Sequence, residues 1–180
     1  MLVEFRVENF RSYADEQALS FVAGRGRKLQ GELLQSDGFR GHKLLRSAVL
    51  FGPNGGGKSN LVRGLQALRR VVLDSAARLR PTDPLPVQPF LMSPDRQGQP
   101  TTFEISFVHS LKLGDGPPRP VHIQYGVRLT RERVHEEWLY AYPNGPAQRW
   151  LSRDGDVLKT SRALGGERQR ADGLQEALDE

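Results

Sequence analysis

Residues 52–60 read Gly-Pro-Asn-Gly-Gly-Gly-Lys-Ser-Asn, the densest cluster of glycines in the chain. A short apolar run, Val49–Phe51, comes directly before this cluster. Apolar side chains then recur at helical spacing, at Leu61, Leu65, Leu68, Val72 and Leu73. This order predicts a buried strand that leads from about Leu44 into a glycine-rich turn, followed by a helix over about residues 59–80.

The residue types of this turn suit the binding of a nucleoside triphosphate, because residues 52–59 match the spacing G-x-x-x-x-G-K-[ST]. Glycines let the backbone approach phosphate oxygens without Cβ clashes, and the N–H groups of residues 55–58 can form an anion nest. We predict ATP and Mg²⁺ as cofactors, with Lys58 as the catalytic cation on the β- and γ-phosphates and Ser59 as the Mg²⁺ ligand. The remaining predicted contacts are Asn54, Gly55, Gly56, Gly57 and Asn60. A chance glycine-rich turn is the alternative, and the strand–loop–helix setting argues against it.

The length and composition of the chain exclude several classes of protein. The chain has 180 residues, no cysteine and a formal net charge of +5. Its length suits one domain or part of one, and the lack of cysteine excludes disulfides and thiolate metal sites. The first residues carry charges and no long apolar run, which argues against a signal peptide or a membrane span and predicts a cytoplasmic protein. The basic balance suits either a solvated surface or a nucleic-acid-binding face.

The chain before the glycine-rich turn predicts an antiparallel hairpin. Apolar and charged residues alternate over Leu2–Asn9, as in a half-buried strand, and Ala18–Val22 has the composition of a second strand that pairs with it. The polar, glycine-bearing residues 24–41 predict a loop.

After the predicted helix, apolar and polar residues alternate with a period of two, which is typical of strands. Prolines 81, 84, 86 and 89 predict an extended connector over residues 81–100, in which Phe90–Met92 would pack on the core. Five strands are predicted beyond it, over residues 103–108, 121–130, 134–142, 148–153 and 157–160. Their separators suit hairpins, so residues 101–161 should form an antiparallel meander. Residues 162–180 resemble the start of a helical segment that is cut off.

This order of elements resembles the ABC-type ATPase heads of the SMC, RecF and OLD-like proteins. Three stretches carry the likeness: Phe5–Tyr13, which reads Phe-Arg-Val-Glu-Asn-Phe-Arg-Ser-Tyr; residues 52–60; and the later pieces Pro86–Leu91, Tyr125–Val127 and Glu136–Tyr142. The later pieces are most similar to AAA_15/AAA_21-type bacterial ATPases, which are associated with abortive infection and phage defence.

The resemblance implies a fold class and a division of the chain. It implies a P-loop NTPase of α/β class with α+β character, in which a hairpin, a central strand–loop–helix unit and a meander form an ABC-ATPase-like lobe. Residues 1–180 would be the N-terminal portion of a single nucleotide-binding head, with the hairpin, loop and helix in residues 1–80.

The resemblance also implies site residues and partners. In such families a basic residue and a serine after the first strand lie near the nucleotide, which carries over to Arg11 and Ser12; an ordinary surface arginine is the alternative for Arg11. Two heads sandwich two ATP molecules, so a homodimer is expected. An effector nuclease and DNA or RNA are further expected partners, and a membrane is not.

Hydrolysis in these families needs motifs that this sequence does not show. No apolar run ends in the Asp-Glu of a Walker B strand. Residues 163–167 superficially resemble a signature motif but directly follow the meander hairpins, and Gln88 precedes the meander, where a glutamine loop would follow it. We therefore expect weak ATP binding with little turnover, so whether the chain is an enzyme stays open. Two alternatives also stay open, a non-catalytic nucleotide-binding scaffold and a small-molecule kinase.

Overall fold

The computed structural model describes residues 1–24, 31, 33–39, 41–74 and 83–162. The predicted end of the long helix, over residues 75–80, and the predicted helical segment from residue 163 onward lie outside the described residues. No helix in the described part of the chain is long and apolar enough to cross a membrane.

The fold consists of nine strands and two helices in its described ranges. The strands are β1 (Leu2–Glu8), β2 (Gln17–Ser20), β3 (Leu34–Gln35), β4 (Lys43–Leu44), β5 (Thr101–Leu111), β6 (Arg119–Leu129), β7 (Val134–Tyr142), β8 (Gln148–Asp154) and β9 (Val157–Thr160). The helices are α1 (Lys58–Asp74) and α2 (Pro94–Gln97). Seven strands form one sheet in the order β2-β1-β5-β6-β7-β8-β9, and β3 pairs with β4 separately.

The predicted hairpin and meander are both present. β1 pairs antiparallel with β2, with Phe5 opposite Leu19, and β5 to β9 pair consecutively in antiparallel fashion. β1 also pairs with β5, which places Phe5 opposite Ile105. The hairpin and the meander are therefore one continuous sheet, a long-range pairing that the local patterns did not predict.

The predicted loop over residues 24–41 is corrected in part. Leu34 in β3 pairs with Leu44 in β4, and Leu44 is fully buried in a cluster with Val3 and Val108. The apolar side chains at Leu34 and Phe39, which pack on this cluster, explain why an otherwise polar segment lies against the sheet.

Helix α1 packs on the face of the sheet that carries Phe5, Val7 and Phe103. Its buried residues are Leu61, Gly64, Ala67, Leu68 and Val71. The helix approaches most closely at Gly64, where an added Cβ would lie 3.3 Å from Cζ of Phe5. The prediction that Val72 and Leu73 belong to the buried face of the helix was wrong, because both side chains are exposed. The small residues Gly64 and Ala67 form the closest contact with the sheet. The buried face of the helix therefore includes Val71 in place of Val72 and Leu73.

The predicted buried strand before the glycine-rich turn is not formed. Within the described residues, 46–53 pair with no strand, and the side chains of Val49 and Phe51 are 72% and 90% exposed. A central strand needs hydrogen-bonded neighbours on both sides, and no described strand pairs with this segment. The predicted central strand–loop–helix unit is therefore present only as loop and helix.

The connector over residues 83–100 is held by hydrogen bonds and by one buried side chain, that of Val87. Phe90 N–H donates to Oδ1 of Asn9 at 3.1 Å, whereas Leu91 is exposed and Met92 is 88% exposed. The prediction that Phe90–Met92 packs on the core was therefore wrong for its last two residues. Val87 takes that place instead and is buried in the core cluster beside α1.

Candidate phosphate-binding site

The glycine-rich loop ends where α1 begins, at Lys58. Gly55 and Gly57 have φ angles of 80° and 83°, in the left-handed region that glycine adopts without strain. The N–H of Gly56 donates to the carbonyl of Pro53 at 3.2 Å and closes a tight turn. The loop therefore lies at a helix N-terminus, where free N–H groups and the helix dipole favour an anion.

The ammonium of Lys58 lies across this loop. Its Nζ donates to the carbonyl oxygens of Gly52 and Pro53, each at 2.7 Å. The cation is thus held at the loop, and Ser59, the next residue, is exposed. The backbone N–H groups and the ammonium can donate hydrogen bonds to the oxygens of a triphosphate. The hydroxyl oxygen of Ser59 is the kind of ligand that Mg²⁺ prefers.

A tight N-terminal turn packs beside the loop. Two backbone hydrogen bonds of 2.9 Å, Phe10 N–H to Tyr13 O and Tyr13 N–H to Phe10 O, close the turn. Ser12 Oγ accepts a hydrogen bond from Nδ2 of Asn60 at 2.8 Å. The Tyr13 hydroxyl donates to the carbonyl of Gly57 at 2.7 Å. The structure therefore brings Ser12 to the glycine-rich loop, beside two of the predicted phosphate contacts.

The loop sequence is shared with a known family. Residues 47–175 match the family described as "AAA domain, putative AbiEii toxin, Type IV TA system", and the match covers more than half of the 180-residue chain. The chain belongs to this AAA domain family. The family gives the chain a P-loop NTPase fold and a nucleotide-binding, ATPase-like function, which its description sets in a toxin–antitoxin system. No individual curated protein matches the chain.

Arg11, which precedes the family match, makes contacts that differ from those of Ser12. Its guanidinium carbon lies 5.6 Å from the ring centroid of Phe10, and its backbone N–H donates to the carbonyl of Gln88 at 2.9 Å. Among the described residues, no hydrogen bond joins its side chain to the glycine-rich loop. The predicted phosphate contact of Arg11 stays a prediction.

Asn9 anchors the turn that bears Ser12, and sequence reasoning did not single it out. Its side chain is fully buried, and its Nδ2 donates to the carbonyls of Arg96 and Gln99 at 2.9 and 2.8 Å. Its Oδ1 accepts from Phe90 N–H, and its own carbonyl accepts from the hydroxyl of Thr101 at 2.7 Å. The one available signal was an asparagine directly after an alternating strand, because asparagine tolerates the left-handed φ of 49° found here.

Tyr13 is the second functional candidate that the sequence patterns missed. Burial raises the pKa of its phenol, while a hydrogen bond with the backbone of Leu61 acts in the opposite direction. The phenol therefore remains a protonated donor at neutral pH. Its only sequence signal was its place at the end of the Phe5–Tyr13 stretch.

Proposed function

We propose that this AAA domain contributes the loop-bearing part of an ABC-type ATPase head, which binds ATP with Mg²⁺ on residues 52–60. The observation that carries this proposal is the arrangement at the start of α1. There the Lys58 ammonium donates to the carbonyls of Gly52 and Pro53, in the loop that contains the positive-φ glycines 55 and 57, and the turn that bears Ser12 packs on Gly57. A solvated glycine turn without a ligand would not need this convergence of donors.

The proposed binding step is an exchange of partners by Lys58. Its ammonium would give up the carbonyls of Gly52 and Pro53 for phosphate oxygens, which form stronger, charge-assisted hydrogen bonds. The N–H groups of Gly55, Gly57 and Lys58 would hold the same oxygens, while that of Gly56 stays on the carbonyl of Pro53, and the Ser59 hydroxyl would hold Mg²⁺. The metal would neutralise part of the triphosphate charge.

We further propose that ATP binding joins two copies of the head. Apolar side chains next to the loop are exposed, as Phe51 and Val62 are, and a covering partner would remove them from water. In this proposal the dimer controls an effector nuclease or its engagement with DNA or RNA in bacterial defence, in the cytoplasm. The family description supports the toxin–antitoxin context, and the net charge of +5 is compatible with contact to nucleic acid.

The experiment that tests the site is a calorimetric titration of the chain with ATP and Mg²⁺. Lys58→Ala should abolish measurable binding, because it removes the cation from the phosphate position. Lys159→Ala, which removes an exposed lysine from strand β9, is the matched control and should bind like the wild type. An unchanged ATP affinity in Lys58→Ala would refute the assignment of the site.

A further inference from the structure

We propose that Tyr13 is a positioning residue, whose hydroxyl fixes the Gly57–Lys58 peptide so that the Lys58 N–H points toward the phosphate position. The inference rests on the proposed ATP binding at residues 52–60. Tyr13 precedes the family match, which begins at residue 47, so membership of the family does not assign it this role.

The carbonyl of Gly57 orients this peptide. This oxygen accepts two hydrogen bonds, one from the Tyr13 hydroxyl at 2.7 Å and one from the Asn60 N–H at 2.8 Å. In a planar trans peptide the C=O and the following N–H point in opposite directions. Holding the Gly57 oxygen on the side of Tyr13 therefore holds the Lys58 N–H on the opposite side.

Gly57 is the residue at which this peptide could otherwise rotate. Its φ of 83° lies where glycine is free and other residues are strained. A Cβ at this position would lie 3.0 Å from Oγ of Ser12 and 3.2 Å from Cε1 of Tyr13, so the turn packs directly on the glycine. A rotated peptide would present a carbonyl oxygen, which carries partial negative charge, where the site needs an N–H donor.

Tyr13 is itself rigidly held, and its support comes from the sheet side. The backbone bonds between Phe10 and Tyr13 close the turn, and the buried Asn9 ties the turn to the segment before β5. The hydroxyl is therefore placed before any ligand arrives. This pre-organisation lowers the ordering cost of phosphate binding.

The test compares Tyr13→Phe with Tyr142→Phe in the full chain. Both variants remove one tyrosine hydroxyl that donates a hydrogen bond, but the Tyr142 hydroxyl donates to Gln124 at 2.8 Å, on the meander. Tyr13→Phe should weaken the binding of ATP with Mg²⁺ by about 2- to 10-fold, the usual effect of one hydrogen bond. Tyr142→Phe should leave this affinity unchanged.

A second measurement does not depend on nucleotide. In nucleotide-free Tyr13→Phe, the amide NMR signals of Gly57 and Lys58 should broaden or shift as the peptide gains freedom. The rest of the spectrum should stay as in the wild type, and the melting temperature should match that of Tyr142→Phe. A purely structural role of the hydroxyl would instead lower the melting temperature and shift signals throughout the core.

The outcomes separate this inference from the proposed function. If the wild type binds no ATP, the proposed function fails, and the amide signals alone decide whether Tyr13 fixes the peptide. Unchanged Gly57 and Lys58 signals in Tyr13→Phe overturn the inference, whatever the wild type binds. Equal ATP affinity of the wild type and Tyr13→Phe overturns it as well.

Discussion

The buried side chain of Asn9 joins three parts of the chain through one carboxamide. Its nitrogen satisfies the carbonyls of Arg96 and Gln99, and its oxygen satisfies the N–H of Phe90. Buried polar groups that lose their partners carry a desolvation penalty. The position of the turn that bears Ser12 and Tyr13 therefore depends on a residue that would touch no nucleotide.

We expect Asn9→Ala to destabilise the fold by about 2–4 kcal/mol, because it leaves buried donors and acceptors without partners. Urea denaturation measures this change. Asn144→Ala, which removes an exposed amide that accepts a bond from Arg119, is the control and should change the stability by less than about 0.5 kcal/mol. A loss of similar size in both variants would contradict the anchoring role of Asn9.

His122 supplies a prediction about pH. Burial lowers the pKa of its imidazole below the usual 6.5; the ring lies 4.7 Å from Tyr142 and 4.8 Å from Phe39, centroid to centroid. Because the folded state favours the neutral ring, its stability contribution is complete above pH 6.5 and is lost as the pH falls through the lowered pKa. Denaturation should therefore show a smaller decline in stability from pH 7.5 to 5 in His122→Gln than in the wild type. An equal decline would exclude His122 as a contributor.

At the scale of single elements, helix α1 depends on Gly64. We expect Gly64→Val to destabilise the protein by about 1–3 kcal/mol, since its branched side chain would collide with Phe5 and Phe103 and push the helix from the sheet. Gln66→Val places the same branched side chain on the exposed side of the helix, away from the sheet, and is the control. Chemical denaturation of both variants checks the difference, and equal stabilities would show that the close approach at Gly64 is unimportant.

The elements also show where prediction from sequence succeeds. Strands β5 to β9 were predictable because their period and their turns are local properties of the chain. The buried face of α1 was predicted incorrectly because Gly64 and Ala67 are only weakly apolar. Their small size nevertheless allows the helix to lie close to the sheet. The run Val49–Phe51 was misjudged because apolar composition does not reveal whether neighbouring strands exist. Asn9 and Tyr13 act through contacts with residues more than 40 positions away, which no local pattern encodes.

At the scale of the whole molecule, the proposed function predicts association that depends on ATP. Sedimentation velocity should show the wild type shifting from monomer toward dimer when ATP and Mg²⁺ are added, and Lys58→Ala should not shift. Turnover at high protein concentration is the second measurement. ATP binding without any association would leave a nucleotide-binding scaffold, and clear ATPase activity would exclude that alternative.

The pairing of β1 with β5 also has a consequence for biosynthesis. Phe5 lies opposite Ile105, so β1, which pairs with the adjacent β2, gains its second neighbour only after β5 has emerged from the ribosome. Such long-range pairing slows folding, because a large loop must close before contacts form. The hydrogen bonds of Asn9 likewise cannot form until residues 90–101 have been synthesised. The nascent chain thus carries a complete glycine-rich loop well before the turn that supports it is anchored, and nucleotide affinity should mature late during translation.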